Sequence, residues 1–414
     1  MTSLAPEDLA RVPSGPLWRT PGLGALFTAS TTARLANESA RVAVVLLVLD
    51  RTHSSALAGG LVAALTLPSL ITGPLLGAWL DATTHRRSAF VANQLLLPFV
   101  LVGLLLAAGH SPSWVVLALG ALAGITSPVL TGGFTGLIGP LVAPQLLPRA
   151  YGAESTSYNV AGVAGPALAG ALAGTASASA AVITSAGLSG LALIAVLRVP
   201  MPPPTGAGTQ GLLRSVWAGL RHLAGTPALR SVTAATTLSF AGMGAFPVLF
   251  PALAQRVGSS QAASGALFSA FAVGALLGSL VMAARAPRTG PLRLAMLGIA
   301  GVGAAFAALS WAHSLPVALA LVVVAGAFEG PVLASTLTVR ELNSPASMRT
   351  QVVMTAASLK FAGYAAGSAV AGHVIAADGA SGGIRLVTVC QVAGLLVGAL
   401  ALGWPTLRRR ALRR

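Results

Sequence analysis

The sequence has 414 residues, of which 55% are hydrophobic and only 8% are charged, and its mean hydropathy is +0.82. A soluble protein carries about 25% charged residues. So few charges exclude a soluble globular domain and predict a chain whose solvent is lipid. The single cysteine, Cys390, excludes an internal disulfide and a cysteine-rich metal site.

Apolar stretches long enough to cross a bilayer recur along the whole chain. A transmembrane helix needs about 20 mainly apolar residues. Breaks at proline, glycine and charge clusters give twelve spans, predicted at 22–49, 55–80, 88–109, 113–139, 149–173, 180–198, 231–255, 262–284, 291–311, 315–339, 346–376 and 383–405. The predicted fold class is therefore all-α integral membrane, with 12 transmembrane helices.

The arginines between the predicted spans lie almost entirely on one side. That side carries Arg86, Arg87, Arg149, Arg198, Arg214, Arg221, Arg285, Arg288, Arg293, Arg340, Arg349 and the tail at 408–414. The other side has Arg51, Arg256 and Arg385. By the positive-inside rule both termini are cytoplasmic in a multi-pass protein of the cell membrane. The net charge of +16 then reflects topology, and no nucleic acid is expected as a partner.

The segment 199–230 separates two sets of six spans, an N-terminal bundle at 1–198 and a C-terminal bundle with a basic tail at 231–414. It opens with VPMPPPTGAGTQG and continues with LLRSVWAGLRHLAG. The second part predicts an amphipathic helix on the cytoplasmic membrane surface, with Trp217 on an apolar face opposite Arg214 and Arg221. Its role is either a tether or a regulatory element.

Short motifs repeat between the two halves at a nearly constant offset of 201 or 202 residues. The matching pairs are GPLLG at 73–77 with GALLG at 274–278, Ala123-Gly124 with Ala325-Gly326, and GPALAG at 165–170 with GSAVAG at 367–372. This offset predicts duplication of a six-helix unit into two pseudo-symmetric bundles. Two parallel halves are a transporter architecture, with the substrate site between them near the midplane.

The loop after the second span, GAWLDATTHRR at 77–87, resembles the signature loop of the major facilitator superfamily (MFS). The residues that match the family's pattern are Gly77, Asp81, Arg86 and Arg87. Asp81 is expected to face the start of the eleventh helix, near 344–347, where a carboxylate stabilises the positive helix end by about 0.3–1 kcal/mol. That contact would latch the cytoplasmic side shut. The alternative is that Asp81 only neutralises Arg86 or Arg87.

The fifth span resembles the superfamily's antiporter motif, which consists of small residues at fixed spacing around a Gly-Pro pair. The positions that carry this resemblance are Gly152, Ala161, Gly165, Pro166, Ala169 and Gly170. The expected structure is a smooth helix face against the opposite half. The alternative is generic packing of small residues. In the family the motif is associated with exporters, so the resemblance implies efflux.

The first two spans look like the macrolide-efflux-like, twelve-helix branch of the superfamily, within the drug/proton antiporters. That branch commonly has an acid near the place of Glu38. Some drug/proton antiporters carry an arginine in the fourth span, and this sequence has none between Val115 and Leu137. The resemblance thus implies efflux and leaves the coupling ion open.

Ionisable residues inside predicted spans are candidates for the proton-coupling or substrate site, because each costs at least about 2.5 kcal/mol to insert. They are Arg34, Glu38, Arg41, Glu154, Glu329 and Lys360, with Asn37 as a polar neighbour. Glu38 is the first candidate for a proton carrier, and the alternative is a fixed clip between Arg34 and Arg41. Glu329 is the second candidate.

Two of these ionisable residues have other expected roles. Glu154 is expected to form a salt bridge between the halves, with coupling as the alternative. Lys360, the only lysine, is expected to pair with an acid, with contact to an anionic substrate as the alternative.

The sequence shows no phosphate-binding glycine loop, no metal-ligand cluster and no nucleophile with a base nearby. It therefore predicts no cofactor, no metal and no enzymatic activity. The predicted function is proton-coupled export of a small hydrophobic compound, a drug or secondary metabolite, by a monomer. The alternatives are an importer or uniporter of a small solute, and a non-transporting receptor or assembly factor on the same scaffold.

The arginine asymmetry gives a topology prediction. Reporter fusions at residue 205 and at the C-terminus are both expected to report a cytoplasmic location, because the basic loops are retained there. An external signal from either fusion would contradict the twelve-span arrangement.

Overall fold

The computed structural model describes residues 17–202, 212–259, 263–285 and 289–411. Within these ranges every regular element is helical, which confirms the predicted all-α class. Arg288, most of the VPMPPPTGAGTQG segment and the last three residues of the basic tail lie outside the described residues.

The N-terminal half contains six long helices. They are α1 Leu23–Thr52, α2 Ser55–Ala82, α3 Arg86–Ala107, α4 Ser113–Pro128, α5 Leu147–Thr175 and α6 Ala178–Leu197. After Pro128, α4 continues through a π-helical turn, Val129–Gly133, and two short helices, Phe134–Gly136 and Ile138–Leu141. The turn fits Pro128, since a proline removes one backbone hydrogen bond from a helix.

The C-terminal half repeats this arrangement. α7 consists of Pro227–Met243 and Phe246–Arg256, which are bent by 48°. It is followed by α8 Ser264–Ala284, α9 Pro291–Ala308 and α10 Leu315–Asn343. The helix Arg349–Ala411 is interrupted at Gly379, whose φ of 61° divides it into α11 (349–378) and α12 (380–411). This positive φ favours glycine, which lacks a Cβ.

By length and composition, eight of the described helices can cross a membrane, or nine if the bent α7 is one span. That count treats Ala346–Gly403 as one span, although α11 and α12 are two. It leaves out α1, which carries ionisable residues, and α5, which is rich in glycine and polar residues. Both have the length of a span, so the described helices make twelve passages.

The two halves pack their helices in the same pattern. α1 packs on α5 and α6, α2 on α4, and α3 on α6; correspondingly, α7 packs on α11 and α12, α8 on α10, and α9 on α12. Glycines at equivalent positions of the two halves permit equivalent close helix contacts. Gly124 lies against the backbone of α2 at Leu65, and Gly326 lies against the backbone of α8 at Phe271. The duplication expected from the repeated motifs is therefore visible in the packing.

The segment between the halves contains a helix at Leu212–Gly225, here called the linker helix. α7 begins at Pro227, inside the segment expected to be linker. Gly219 and Leu223 of the linker helix face the protein, with Gly219 against the side chain of Gln351. Trp217 is 69% exposed and lies beside the exposed Arg214 and Arg221. The expected grouping of Trp217 opposite these arginines is wrong, because the protein occupies the other face.

Large apolar side chains cover the outside of the bundle. Examples are Ile71, Phe99, Leu106, Ile183, Val389 and Leu400, each more than 60% exposed. A soluble monomer rarely exposes contiguous apolar patches above a few hundred Å². This surface is therefore the lipid-facing surface of an integral membrane protein.

The halves meet closely on one side of the membrane. This side carries the linker helix, Arg87 and Arg349, and is called the basic side below; the other is the opposite side. An apolar cluster here combines Phe134 and Tyr151 of the N-terminal half with Leu337 and Met354 of the C-terminal half. Towards the opposite side, α5 and α11 turn to their own halves, since Gly165 packs on α1 and Gly367 on α7. The contacts between halves thus concentrate on the basic side.

Candidate functional site

A cavity of about 230 Å³ lies between α5 and the C-terminal half, near the middle of the bundle. It is lined by Asn159, Phe240, Met243, Phe246, Phe271, Glu329, Leu333, Lys360 and Tyr364. The aromatic residues make most of its wall apolar, while the acid and the base supply two charges. Pockets for drug-sized ligands hold roughly 300–1,000 Å³. In this state the cavity therefore suits a small compound.

The two charges in the cavity do not touch each other. Glu329 is 8% exposed, and its Oε2 has no hydrogen-bond partner among the described residues. The Lys360 Nζ lies 3.8 Å from the centroid of the Phe240 ring. No salt bridge within 4.0 Å joins Lys360 to any described carboxylate, but its charge interacts with that of Glu329. The expected pairing of Lys360 with an acid is thus an electrostatic interaction and not a direct ion pair. Because neither group forms a direct ion pair, both can contact a ligand in the cavity.

Asn159 brings the N-terminal half to the wall of this cavity. Its Nδ2 donates hydrogen bonds to the Ser155 carbonyl oxygen, at 2.9 Å, and to the Ser279 Oγ of α8, at 2.8 Å. Ser155 Oγ lies 2.8 Å from Ser279 Oγ and donates to the Gly330 carbonyl oxygen at 3.1 Å. These bonds connect α5 to α8 and α10 on the basic side of the cavity.

A buried ion pair joins α1 to α5 within the N-terminal half. The Arg34 Nη2 lies 2.5 Å from the Glu154 Oε1, and the two residues are 3% and 1% exposed. Arg34 also donates a hydrogen bond to the Ser157 Oγ and lies 3.7 Å from the centroid of the Tyr158 ring. Glu154 accepts a second hydrogen bond, from the Thr135 hydroxyl, at 2.6 Å. The expected salt bridge between the halves at Glu154 is wrong, because the Glu154 carboxylate binds Arg34 of the same half.

The alternative role of Glu38, a fixed clip between Arg34 and Arg41, is wrong, since Arg34 binds Glu154. Glu38 is half-buried, and a Cβ on Gly165 of α5 would lie 2.8 Å from the Glu38 Cβ. Arg41 and Asn37 line a separate cavity of about 10 Å³ inside the N-terminal half, which is room for about one water molecule. The sequence predicts both residues at the substrate site, but neither lines the larger cavity.

Arg340 is a buried charge that the sequence analysis placed in a surface loop. Because α10 continues to Asn343, Arg340 lies inside it and is 2% exposed. Its Nε and Nη2 have no hydrogen-bond partner in the described parts of the chain. Arg340 lies 11 residues after Glu329, so both are on one face of α10. This helical spacing was the available signal.

Glu341 was also missed, and it connects the halves on the basic side. The Tyr151 hydroxyl of α5 donates to its Oε2 at 3.0 Å, and its Oε1 lies 2.7 Å from the Arg349 Nε. Gly139, at the end of the α4 segment, lies beside the same carboxylate, and a Cβ there would overlap it. Only the folded structure brings Tyr151 and Gly139 to Glu341.

Asp81 binds the first turn of α11 across the interface between the halves. Its Oδ1 accepts from the Thr350 N–H at 3.1 Å, and its Oδ2 accepts from the Gln351 N–H at 2.9 Å. The helix begins at Arg349, a few residues later than expected, after a 3₁₀ turn at Ala346–Met348. The carboxylate satisfies two N–H groups that have no partner within the helix.

The basic residues of the signature loop do not pair with Asp81. Arg86 donates to the carbonyl oxygens of Leu80 and Asp81, and Arg87 donates to those of Leu197 and Val199. The alternative, that Asp81 only neutralises one of these arginines, is wrong, because its carboxylate is buried and binds the start of α11. Gly77 has a different function, because a Cβ there would lie 2.6 Å from the Gln351 Cα. Glycine permits α2 to approach α11 this closely.

The antiporter-type motif faces two different partners. Gly152 lies against the backbone of Ala283 in α8, across the interface. Gly165 faces α1 of its own half, Ala169 is buried in the core of the same half, and a Cβ on Gly170 would meet nothing within 4 Å. Ala161 is also buried, and Pro166 lies within the continuous α5. The expectation that this whole face meets the opposite half is wrong.

Comparison with known proteins identifies related chains. The family model described as transmembrane secretion effector matches residues 15–410. The uncharacterized MFS-type transporter y4rN of Sinorhizobium fredii is 30% identical over 87% of this chain and 90% of its own length. The multidrug efflux pump Tap of Mycobacterium tuberculosis is 28% identical over 89% of each chain.

The fold is also similar to solved structures. The MFS transporter FucP in its outward conformation superposes with a TM-score of 0.72, covering 92% of this chain and 98% of FucP at 12% identity. At this identity the similarity concerns the fold alone. It matches the two six-helix halves described above.

The buried Arg34–Glu154 pair gives a prediction about stability. Glu154→Gln is expected to lower the free energy of unfolding by about 3–5 kcal/mol, because it leaves Arg34 uncompensated. Adding Arg34→Met should restore a large part of the loss. The measurement is unfolding of the purified protein in mixed micelles.

The matched control is Asp378→Asn, which breaks the exposed pair with Arg385 at 2.6 Å. It should cost at most about 1 kcal/mol. Equal losses from the two single variants, or additive losses in the double variant, would contradict the assigned importance of the buried pair.

Proposed function

The chain belongs to the transmembrane secretion effector family of the major facilitator superfamily, whose members are secondary transporters, and we propose that it exports a small organic compound in exchange for protons. The observation that carries this proposal is the cavity of about 230 Å³, which is lined by aromatic residues and by Glu329 and Lys360, two charged groups without a direct ion pair. A transport site needs charged groups that change partners during the cycle, whereas the groups of a structural ion pair keep the same partner.

The arginine distribution supports a cytoplasmic location for the basic side. The structure is then the outward-facing state, closed towards the cytoplasm. Asp81, Gly77 and Glu341 supply the closing contacts. Opening towards the cytoplasm requires α2 to leave the first turn of α11, which exposes the Asp81 carboxylate and two helix N–H groups to water. The exchange of these hydrogen bonds for water makes the closure reversible.

Glu329 replaces Glu38 as our first candidate for the coupling carboxylate. It lies in the cavity near the middle of α10, whereas Glu38 packs against Gly165 of α5. A proton bound to Glu329 from the outside removes its charge and changes the field on Lys360. Release of that proton to the cytoplasm, after the halves rock, restores the charge. Glu329 thus connects a proton gradient to the occupancy of the cavity.

Export, as the direction of transport, rests on two supports. The multidrug efflux pump Tap is similar to this chain over most of its length. The sequence also carries most of the antiporter-type motif. A size limit follows from the cavity, since about 230 Å³ is below the range for drug-sized ligands. We therefore propose a small compound with an apolar body as the substrate, handled by a monomer in the cell membrane.

The closing contact predicts the effect of two substitutions. Asp81→Asn and Gly77→Val should each shift the protein towards the cytoplasm-open state, the first by about 1–2 kcal/mol, or roughly fivefold to thirtyfold in the ratio of states. The readout is maleimide labelling of Leu337→Cys in a Cys390→Ala background. Leu337 is 4% exposed in the closed interface and should label faster when the interface opens.

Gly162→Val is the matched control, because a Cβ at Gly162 meets nothing within 4 Å. It should leave the labelling rate unchanged. Labelling that rises equally in all three variants would indicate general loosening, and labelling that rises in none would leave Asp81 without a gating role.

Export itself is tested in cells and in proteoliposomes. Cells that express the chain should accumulate less of a panel of small aromatic compounds, and an uncoupler should abolish the difference. Glu329→Gln should reduce the rate of gradient-driven export at least roughly tenfold, while substrate exchange without a gradient is retained. Glu38→Gln should retain most gradient-driven export.

Full pH-dependent export by Glu329→Gln together with loss in Glu38→Gln would return the coupling role to Glu38. Greater accumulation in expressing cells would instead identify an importer. Unchanged accumulation across the panel, with the protein inserted in the membrane, would contradict export of this class of compound.

A further inference from the structure

The cavity, together with Arg340 directly beneath it, carries more positive than negative charge. Arg34 and Glu154 cancel each other as a pair. Glu329, Lys360 and Arg340 remain in the described part of this region, which is one acid against two bases. Glu38 and Arg41 lie outside the cavity and balance each other in sign. The site therefore has an excess of one positive charge when all groups are ionised.

Arg340 adds to the field in the cavity although it does not line it. It lies on the face of α10 that carries Glu329 and Leu333, about two turns beyond Leu333 towards the basic side. Its charge is close enough to interact electrostatically with Lys360 and with the Tyr158 hydroxyl. In a region of low dielectric constant this interaction extends over several ångströms. The floor of the cavity is therefore positive.

An unbalanced charge inside a membrane protein is costly unless a partner neutralises it. Among the described residues the Arg340 Nε and Nη2 lack hydrogen-bond partners, and Lys360 lies against the Phe240 ring without a direct ion pair. Glu329 interacts electrostatically with Lys360 and balances one of the two bases. The nearby acids Glu341 and Asp81 are occupied, because Glu341 binds Arg349 and Asp81 binds the start of α11. The missing negative charge must therefore come from outside the chain.

We infer that the substrate is an organic anion, with one acidic group bound at Lys360 on the side of Arg340 and an apolar, ring-sized body against Phe240, Phe246 and Phe271. This inference rests on the proposed function and names the substrate class for the same cavity. A cationic compound would meet Glu329 but would be repelled by two nearby bases. An anionic substrate is repelled by one carboxylate, that of Glu329, and attracted by two cations, those of Lys360 and Arg340.

The experiment measures binding of three probes with one skeleton and different charge. The probes are radiolabelled 4-phenylbutyrate, 4-phenylbutan-1-ol and 4-phenylbutylamine. The full chain is purified into nanodiscs of phosphatidylcholine in chloride-free buffer, and equilibrium dialysis gives each Kd after subtraction of binding to empty nanodiscs. The acid should bind at least roughly tenfold more tightly than the alcohol, since hydrogen bonds to charged groups are the strong ones, and the amine should bind most weakly.

Variants assign the preference to particular charges. Lys360→Gln should bring the affinity for the acid down to that for the alcohol, whereas Lys360→Arg should keep the order of the probes. Arg340→Gln should weaken the acid several-fold and leave the alcohol unchanged. Glu329→Gln should raise the ratio of acid affinity to amine affinity. Arg385→Gln, which removes an exposed guanidinium that does not line the cavity, should change none of the three.

An amine that binds the wild-type protein most tightly would overturn the inference. A ratio of acid to alcohol affinity that Lys360→Gln leaves unchanged would also overturn it. If Lys360→Gln does not fold, Glu329→Gln decides, and an unchanged acid-to-amine ratio there overturns the inference. An acid preference in nanodiscs without export in cells would contradict the proposed export alone, whereas export without an acid preference would contradict only the substrate class.

Discussion

The contact between the Asp81 carboxylate and the first turn of α11 holds the two halves of the molecule in one arrangement. It forms because a helix start has N–H groups without partners, and because Gly77 lets α2 approach the backbone of α11. Gln351 then donates through its side chain to the Ser215 and Val216 carbonyl oxygens of the linker helix. One short stretch of α11 therefore connects both halves and the segment that joins them.

The other constraint is the cost of charge in hydrocarbon, and it divides the buried ionisable groups into two kinds. Arg34 with Glu154, and Glu341 with Arg349, are paired and hold helices together. Glu329, Lys360 and Arg340 form no direct ion pair among the described residues. A protein keeps such groups only where something else meets them in part of its cycle, and here they surround the central cavity or lie beneath it. The geometry thus separates the charged groups that stabilise the helix packing from those that are available to the transport site.

Sequence patterns were sufficient for the fold class, because span length and the spacing of small residues are local properties. The repeat at 202 residues also carried over into equivalent packing of Gly124 and Gly326. The partners of charged residues were a different matter. Arg34 has Glu38 one turn away in sequence yet binds Glu154 on another helix, and α10 runs on past the expected loop to bury Arg340. Such choices depend on which helices become neighbours.

Positions 139 and 341 are 202 residues apart, so Gly139 and Glu341 are equivalents in the two halves, and they touch each other. Two equivalent residues meet only close to the pseudo-twofold axis, as in an isologous interface. Two identical six-helix units assembled in this way would place glycine on glycine, leaving a hole, or carboxylate against carboxylate, which repel. A fused chain escapes this restriction, because its halves can mutate separately. The Gly139–Glu341 contact is one that two identical six-helix units cannot make.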